Sequence, residues 1–94
     1  MKLINTMENA VAAQLLDIKS RFPGACFCEY CQQDIMALAL NSLPPRYVVT
    51  EEGGVYARTA QLRQQYRTDI TVALIRAIKK VQLHPRHNQD EQGT

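Results

Sequence analysis

No stretch of this chain approaches the roughly 20 consecutive apolar residues that a membrane-spanning helix requires. The opening residues, Met1-Lys2-Leu3-Ile4-Asn5-Thr6-Met7-Glu8-Asn9, hold no apolar run of signal-peptide length either. Together these absences predict a cytoplasmic protein. Internal repeats are missing too, so a repeat architecture is excluded. The 94 residues suffice for one domain and leave nothing from which to build a second core. A domain this short buries only about 60–65% of the surface that its unfolded chain exposes, and it often leans on a metal, disulfides or a partner subunit.

Cysteine is scarce and odd in number: Cys26, Cys28 and Cys31 are the whole set. An odd set cannot pair off within one chain, and in a reducing cytosol such a cluster points to metal binding or redox chemistry. Acidic residues nearly vanish from the second half. From Arg58 to Arg86 there are seven bases (Arg58, Arg63, Arg67, Arg76, Lys79, Lys80, Arg86) and one acid, Asp69, for a local charge of +6. The residues up to Ala57 carry −2, the tail from His87 another −2, and the whole chain +2. One part of the protein can attract an anion, but the whole is not basic enough for generic coating of DNA.

What is present reads as helices. Asn5 with Glu8 three residues on has the form of a capping box. Met7, Val11, Leu15, Ile18 and Phe22 then recur at helical spacing, with Asn9, Gln14, Asp17, Lys19 and Arg21 largely on the other side, until Pro23-Gly24 ends the helix. A second helix, from Gln33 to Asn41, is apolar around most of its circumference and is expected to be central and buried. Leu43-Pro44-Pro45 stops it. Arg46-Tyr47-Val48-Val49-Thr50 is the only β-prone stretch. With no evident second strand it is expected to be an extended loop. A further helix starts near Thr59 with Leu62 and Tyr66 on one face. Thr68-Asp69 offers a new cap, and Ile70, Leu74, Ala77, Ile78 and Val81 form the last stripe, closed by Pro85. The expected fold is an all-α domain of four to five helices over residues 1–87, followed by a disordered polar tail over 88–94.

Cys26-Phe27-Cys28-Glu29-Tyr30-Cys31 is a C-x-C-x2-C knuckle between a helix stop and a helix start. A tight loop can turn three thiolates onto one ion, and the N-terminus of the next helix favours their charge. Soft sulfur ligands select zinc or an iron–sulfur centre over magnesium or calcium. A structural zinc wants four ligands. The fourth is assigned to His87, just past the last helix, with His84, Asp34, a partner chain's residue or water as the alternatives. A catalytic zinc with Glu29 as base would need the His-x-Glu and Pro-Cys-x-x-Cys pattern of deaminases, and that pattern is absent. No enzymatic role is expected. Farther on, Arg46, Arg58, Arg63 and Arg67 interleave with Tyr47, Tyr56 and Tyr66. Guanidinium groups for phosphates beside flat surfaces for bases suit a nucleotide ligand.

The run from Cys26 through Asp34 and Ala39-Leu40-Asn41 to Pro44-Pro45-Arg46-Tyr47 resembles the late competence development ComFB family. In that family a cysteine knuckle leads into an Asp-initiated helix, an Ala-Leu-Asn ending and a Pro-Tyr-containing loop. Asn5-x-x-Glu8 and Pro85-Arg86-His87 fit the same outline. The resemblance implies an all-helical fold, a symmetric homodimer and one zinc per subunit held by the knuckle. It further implies a receptor for cyclic dinucleotides, chiefly cyclic di-GMP, acting in motility, development or competence, with a downstream protein as partner. Some members complete the metal site with a fourth cysteine near the C-terminus. This chain has none there, and His87 is the replacement that its sequence offers.

Overall fold

The computed structural model describes residues 2–50 and 54–83. Over these the chain runs through strand β1 (Lys2–Asn5), helix α1 (Thr6–Ile18), a 3-10 turn (Lys19–Arg21), helix α2 (Glu29–Asn41), strand β2 (Tyr47–Thr50), helix α3 (Gly54–Gln65) and helix α4 (Arg67–Leu83). His84, Pro85, His87, the tail over 88–94 and the side chain of Tyr56 lie outside the described residues.

The domain is mostly helical, yet it is not all-α. β1 and β2 pair antiparallel, with Leu3 opposite Val49 and Ile4 opposite Val48. The strand partner overlooked in the sequence is Lys2-Leu3-Ile4-Asn5, which ends directly on the helix cap. Asn5 serves both elements: its Oδ1 accepts the N–H of Met7 at 3.2 Å, capping α1, and the N–H of Arg46 at 2.9 Å. The Thr6 amide and hydroxyl both donate to the Arg46 carbonyl, at 2.7 and 2.9 Å. These bonds tie the start of α1 to the residue that precedes β2.

The core follows the expected stripes. Met7, Val11, Leu15 and Ile18 of α1 are buried, as are Ile70, Leu74, Ala77, Ile78 and Val81 of α4. α4 packs chiefly on α2, and α3 on α1. Helical hydrogen bonding continues through Tyr66, whose amide donates to the Leu62 carbonyl and whose carbonyl accepts from Ile70.

Four boundaries and faces differ from expectation. α1 ends at Ile18, and the 3-10 turn carries the chain on to Phe22. α3 begins at Gly54, five residues before Thr59. α2 starts at Glu29, inside the knuckle, because Cys28 is extended and takes the N-cap position (φ −65°, ψ 171°). Finally, α2 is not buried all round. Only Cys31, Ile35 and Ala39 are fully inside, whereas Met36, Leu38 and Leu40 are half-buried and Ala37 is exposed.

Candidate functional site

Because α2 begins within the knuckle, Cys31 lies one helical turn beyond Cys28 and is held in the core, while Cys26 comes back from the preceding turn. The three Sγ atoms lie within 4.8 Å of one another. Tetrahedral ligation at metal–sulfur distances of about 2.3 Å separates sulfurs by about 3.8 Å, so the three thiols fit a single ion after small side-chain adjustments. The loop is braced from outside: Gln32 Nε2 donates to the Phe27 carbonyl at 2.8 Å, and Lys19 Nζ lies 5.7 Å from the centre of the Phe27 ring.

The thiols differ in environment. The amides of Cys31 and Tyr30 turn toward the Cys28 sulfur at the helix start and hold its pKa below the ordinary thiol value, without a capping hydrogen bond of regular geometry. Burial pushes the Cys31 thiol up to about 12, and its neighbours Cys26 and Cys28 reinforce the shift. Such a sulfur stays protonated unless a cation takes the place of its proton.

Among the described residues no fourth His, Cys, Asp or Glu joins the cluster, so Asp34 is not gathered into it. The end of α4 does arrive there. Gln82 Nε2 lies 3.5 Å from the Cys26 carbonyl oxygen, a long contact that places the last turn of α4 against the knuckle. His84 and His87, both beyond the described residues, follow that turn directly in the chain.

The predicted ligand residues fall into two groups. Arg46 and Arg58 line one cleft of about 220 Å³ with Thr6, Val48 and Gln61. Arg63 and Arg67 line another, of about 370 Å³, with Gln14, Asp17 and Gln64. The two clefts take different faces of α3. In the first, Tyr66 holds Arg46: the guanidinium donates to the Tyr66 hydroxyl and lies 5.3 Å from the ring centre. Tyr47 is exposed on the ribbon and lines neither cleft. In the second cleft Arg63 has partners of its own, since its Nε donates to Gln14 Oε1 at 2.8 Å and its guanidinium pairs with Asp17. Gln14, expected on the polar side of α1, is only 5% exposed and also donates to Thr71 Oγ1 at 2.9 Å. Its spacing gave a clue, because it lies three residues from Val11 and four from Ile18, within the buried stripe.

Among the described residues no helix is long and apolar enough to cross a membrane. The family model described as late competence development protein ComFB matches residues 4–85. The chain is 32% identical over 84 residues to competence protein ComFB of Bacillus subtilis (strain 168), covering 88% of this chain and 85% of that protein. A solved structure of the late competence protein ComFB from Bacillus subtilis is similar with a TM-score of 0.77 at 29% identity, over 89% of this chain and 94% of that one.

Proposed function

The chain belongs to the ComFB family of late competence development proteins, and from that premise we propose that it is a zinc-stabilised, dimeric regulatory module that binds a cyclic dinucleotide. Cyclic di-GMP is the preferred ligand, and the bound state acts on a downstream protein by contact, without chemistry of its own. The observation that carries the metal is the thiol cluster, three Sγ atoms within 4.8 Å. Such soft donors suit zinc, and His87, which follows α4 in the sequence, is the fourth ligand in this reading and would give a closed, structural set.

The cleft of Arg46 and Arg58 supports the ligand. Tyr66 fixes the Arg46 guanidinium from one side, which leaves further N–H groups of that side chain for a phosphate. Arg63 and Arg67 add positive charge on the other face of α3, while Tyr47, exposed on the ribbon, lies outside this cleft. A cyclic dinucleotide is itself two-fold symmetric, so one such cleft from each of two copies suits its two halves. The β1–β2 ribbon favours pairing of copies: Leu3 and Val49 sit opposite each other, both exposed, on a two-stranded sheet that is marginal alone.

Calorimetric titration with cyclic di-GMP tests the ligand. Measurable heat, a raised melting temperature at about 100 μM ligand and weakening by Arg58→Ala are expected, since a ligand that binds the folded state stabilises it. No heat and no thermal shift would refute the receptor role. Sulfur-plus-nitrogen coordination in an X-ray absorption spectrum checks the closed metal set. The open groove between α1 and α2 supports a second function, that of a protein-interaction or DNA-uptake accessory module, because a surface for a partner needs no nucleotide to be used.

A further inference from the structure

α1 and α2 leave between them an open groove of about 680 Å³ whose floor includes Ala12, Leu16, Met36 and Leu40. Leu16 is 67% exposed although it lies one position from the buried Leu15, so the helix presents apolar surface on two sides and the fold covers only one. Its lining also holds two carboxylates, Glu8 and Glu29, the uncharged Asn9, Gln32 and Gln33 and, among the described residues, no lysine or arginine.

From this combination we infer that the groove docks an amphipathic helix of a partner protein that carries leucine-like residues on one face and lysine or arginine on both flanks. The walls dictate a helix. Both are helices whose backbone groups are already bonded within themselves, so an extended peptide would find no strand edge, whereas a third helix brings its own hydrogen bonds and completes a three-helix layer. The small Ala12 side chain lets a ridge approach closely, and the flexible Met36 adapts to its shape. Charge decides the flanks. A second copy laid across the groove would bring its own Glu8 and Glu29 against these two, with no basic residue in the groove to answer them, whereas a cationic flank pairs with both. The 13 residues of α2 extend about 20 Å, room for roughly three turns of partner.

The inference rests on the proposal that the module signals by contact, and its test omits nucleotide so that the two can fail separately. A labelled peptide of about 14 residues, with leucines at i, i+3, i+4 and i+7 and lysines on both flanks, is titrated with the full chain by fluorescence anisotropy. Its counterpart with glutamate in place of lysine is the control. The lysine peptide is expected to bind at least about 10-fold more tightly than the control. Leu16→Glu should weaken it by about 10-fold or more, and the double variant Glu8→Lys/Glu29→Lys should prefer the glutamate peptide. All three altered residues are exposed. Equal binding of the two peptides, or binding unaffected by Leu16→Glu, overturns the inference. So does a dimer that Leu16→Glu splits into monomers, since the groove would then belong to a second copy.

Discussion

Arg63→Ala should cost stability, although Arg63 belongs by composition to the anion-binding set. Its Nε–H is the donor that satisfies Gln14 Oε1, and Gln14 is 5% exposed, so truncation strands a buried amide oxygen. That penalty is about 1–3 kcal/mol. The ion pair with Asp17 adds little, since Asp17 is 66% exposed and a pair open to water contributes about 0–1 kcal/mol. Together they give about 2 kcal/mol, or about 8–16 °C in melting temperature for a domain of this size. Arg67→Ala, which removes an exposed side chain of the same cleft, should shift the melt by no more than about 2 °C. Thermal melts followed by circular dichroism measure both. The double variant Gln14→Leu/Arg63→Ala removes the stranded oxygen as well and should recover part of the loss, with a coupling of about 1 kcal/mol in the cycle. An Arg63→Ala melt within about 2 °C of the parent, or strict additivity in the cycle, would refute the clamp.

Elemental analysis of protein purified without chelator should find about one zinc per chain, and Cys28→Ser should lower both metal content and melting temperature; full stability without metal would defeat that expectation. After chelation, alkylation followed by mass spectrometry should modify Cys28 before Cys31, because Cys31 is 1% exposed and its thiol is held protonated; a Cys31-first order would contradict the burial. Asn5→Ala removes an acceptor shared by the helix cap and the Arg46 amide. It should lower the unfolding free energy by about 1–2 kcal/mol, read as a lower urea midpoint at unchanged slope, with Asn5→Asp retaining most of the stability.

Periodicity made the core legible. Met7, Val11, Leu15 and Ile18, and likewise Ile70 through Val81, repeat at helical spacing over three or more turns, and long repeats leave little ambiguity. The thiol cluster was legible for a different reason, since three cysteines within six residues at a helix start are held near one another by the chain itself. What stayed hidden was long-range. The register of Ile4 against Val48 joins segments that no local pattern links, and a four-residue strand is too short to declare itself. Arg63 looked free because its partners, Gln14 and Asp17, lie 49 and 46 residues away on α1. The apolar circumference of α2 suggested complete burial, whereas composition cannot say how many neighbours a helix will find, and here one flank faces the open groove.

The bond between Thr6 and Arg46 spans 40 residues, and this separation governs the order in which the molecule can be built. During synthesis α1 emerges long before β2, so its N-terminal cap waits half finished while the knuckle and α2 are made. Contacts between distant segments form slowly because the intervening loop must first be closed. The ribbon can therefore close only once Arg46 has been made, and the contact of Gln14 with Thr71, which spans 57 residues, must wait longer still for α4. A nascent chain stalled short of Arg46 would leave Leu3 and Ile4 without Val49 and Val48, their partners across the ribbon.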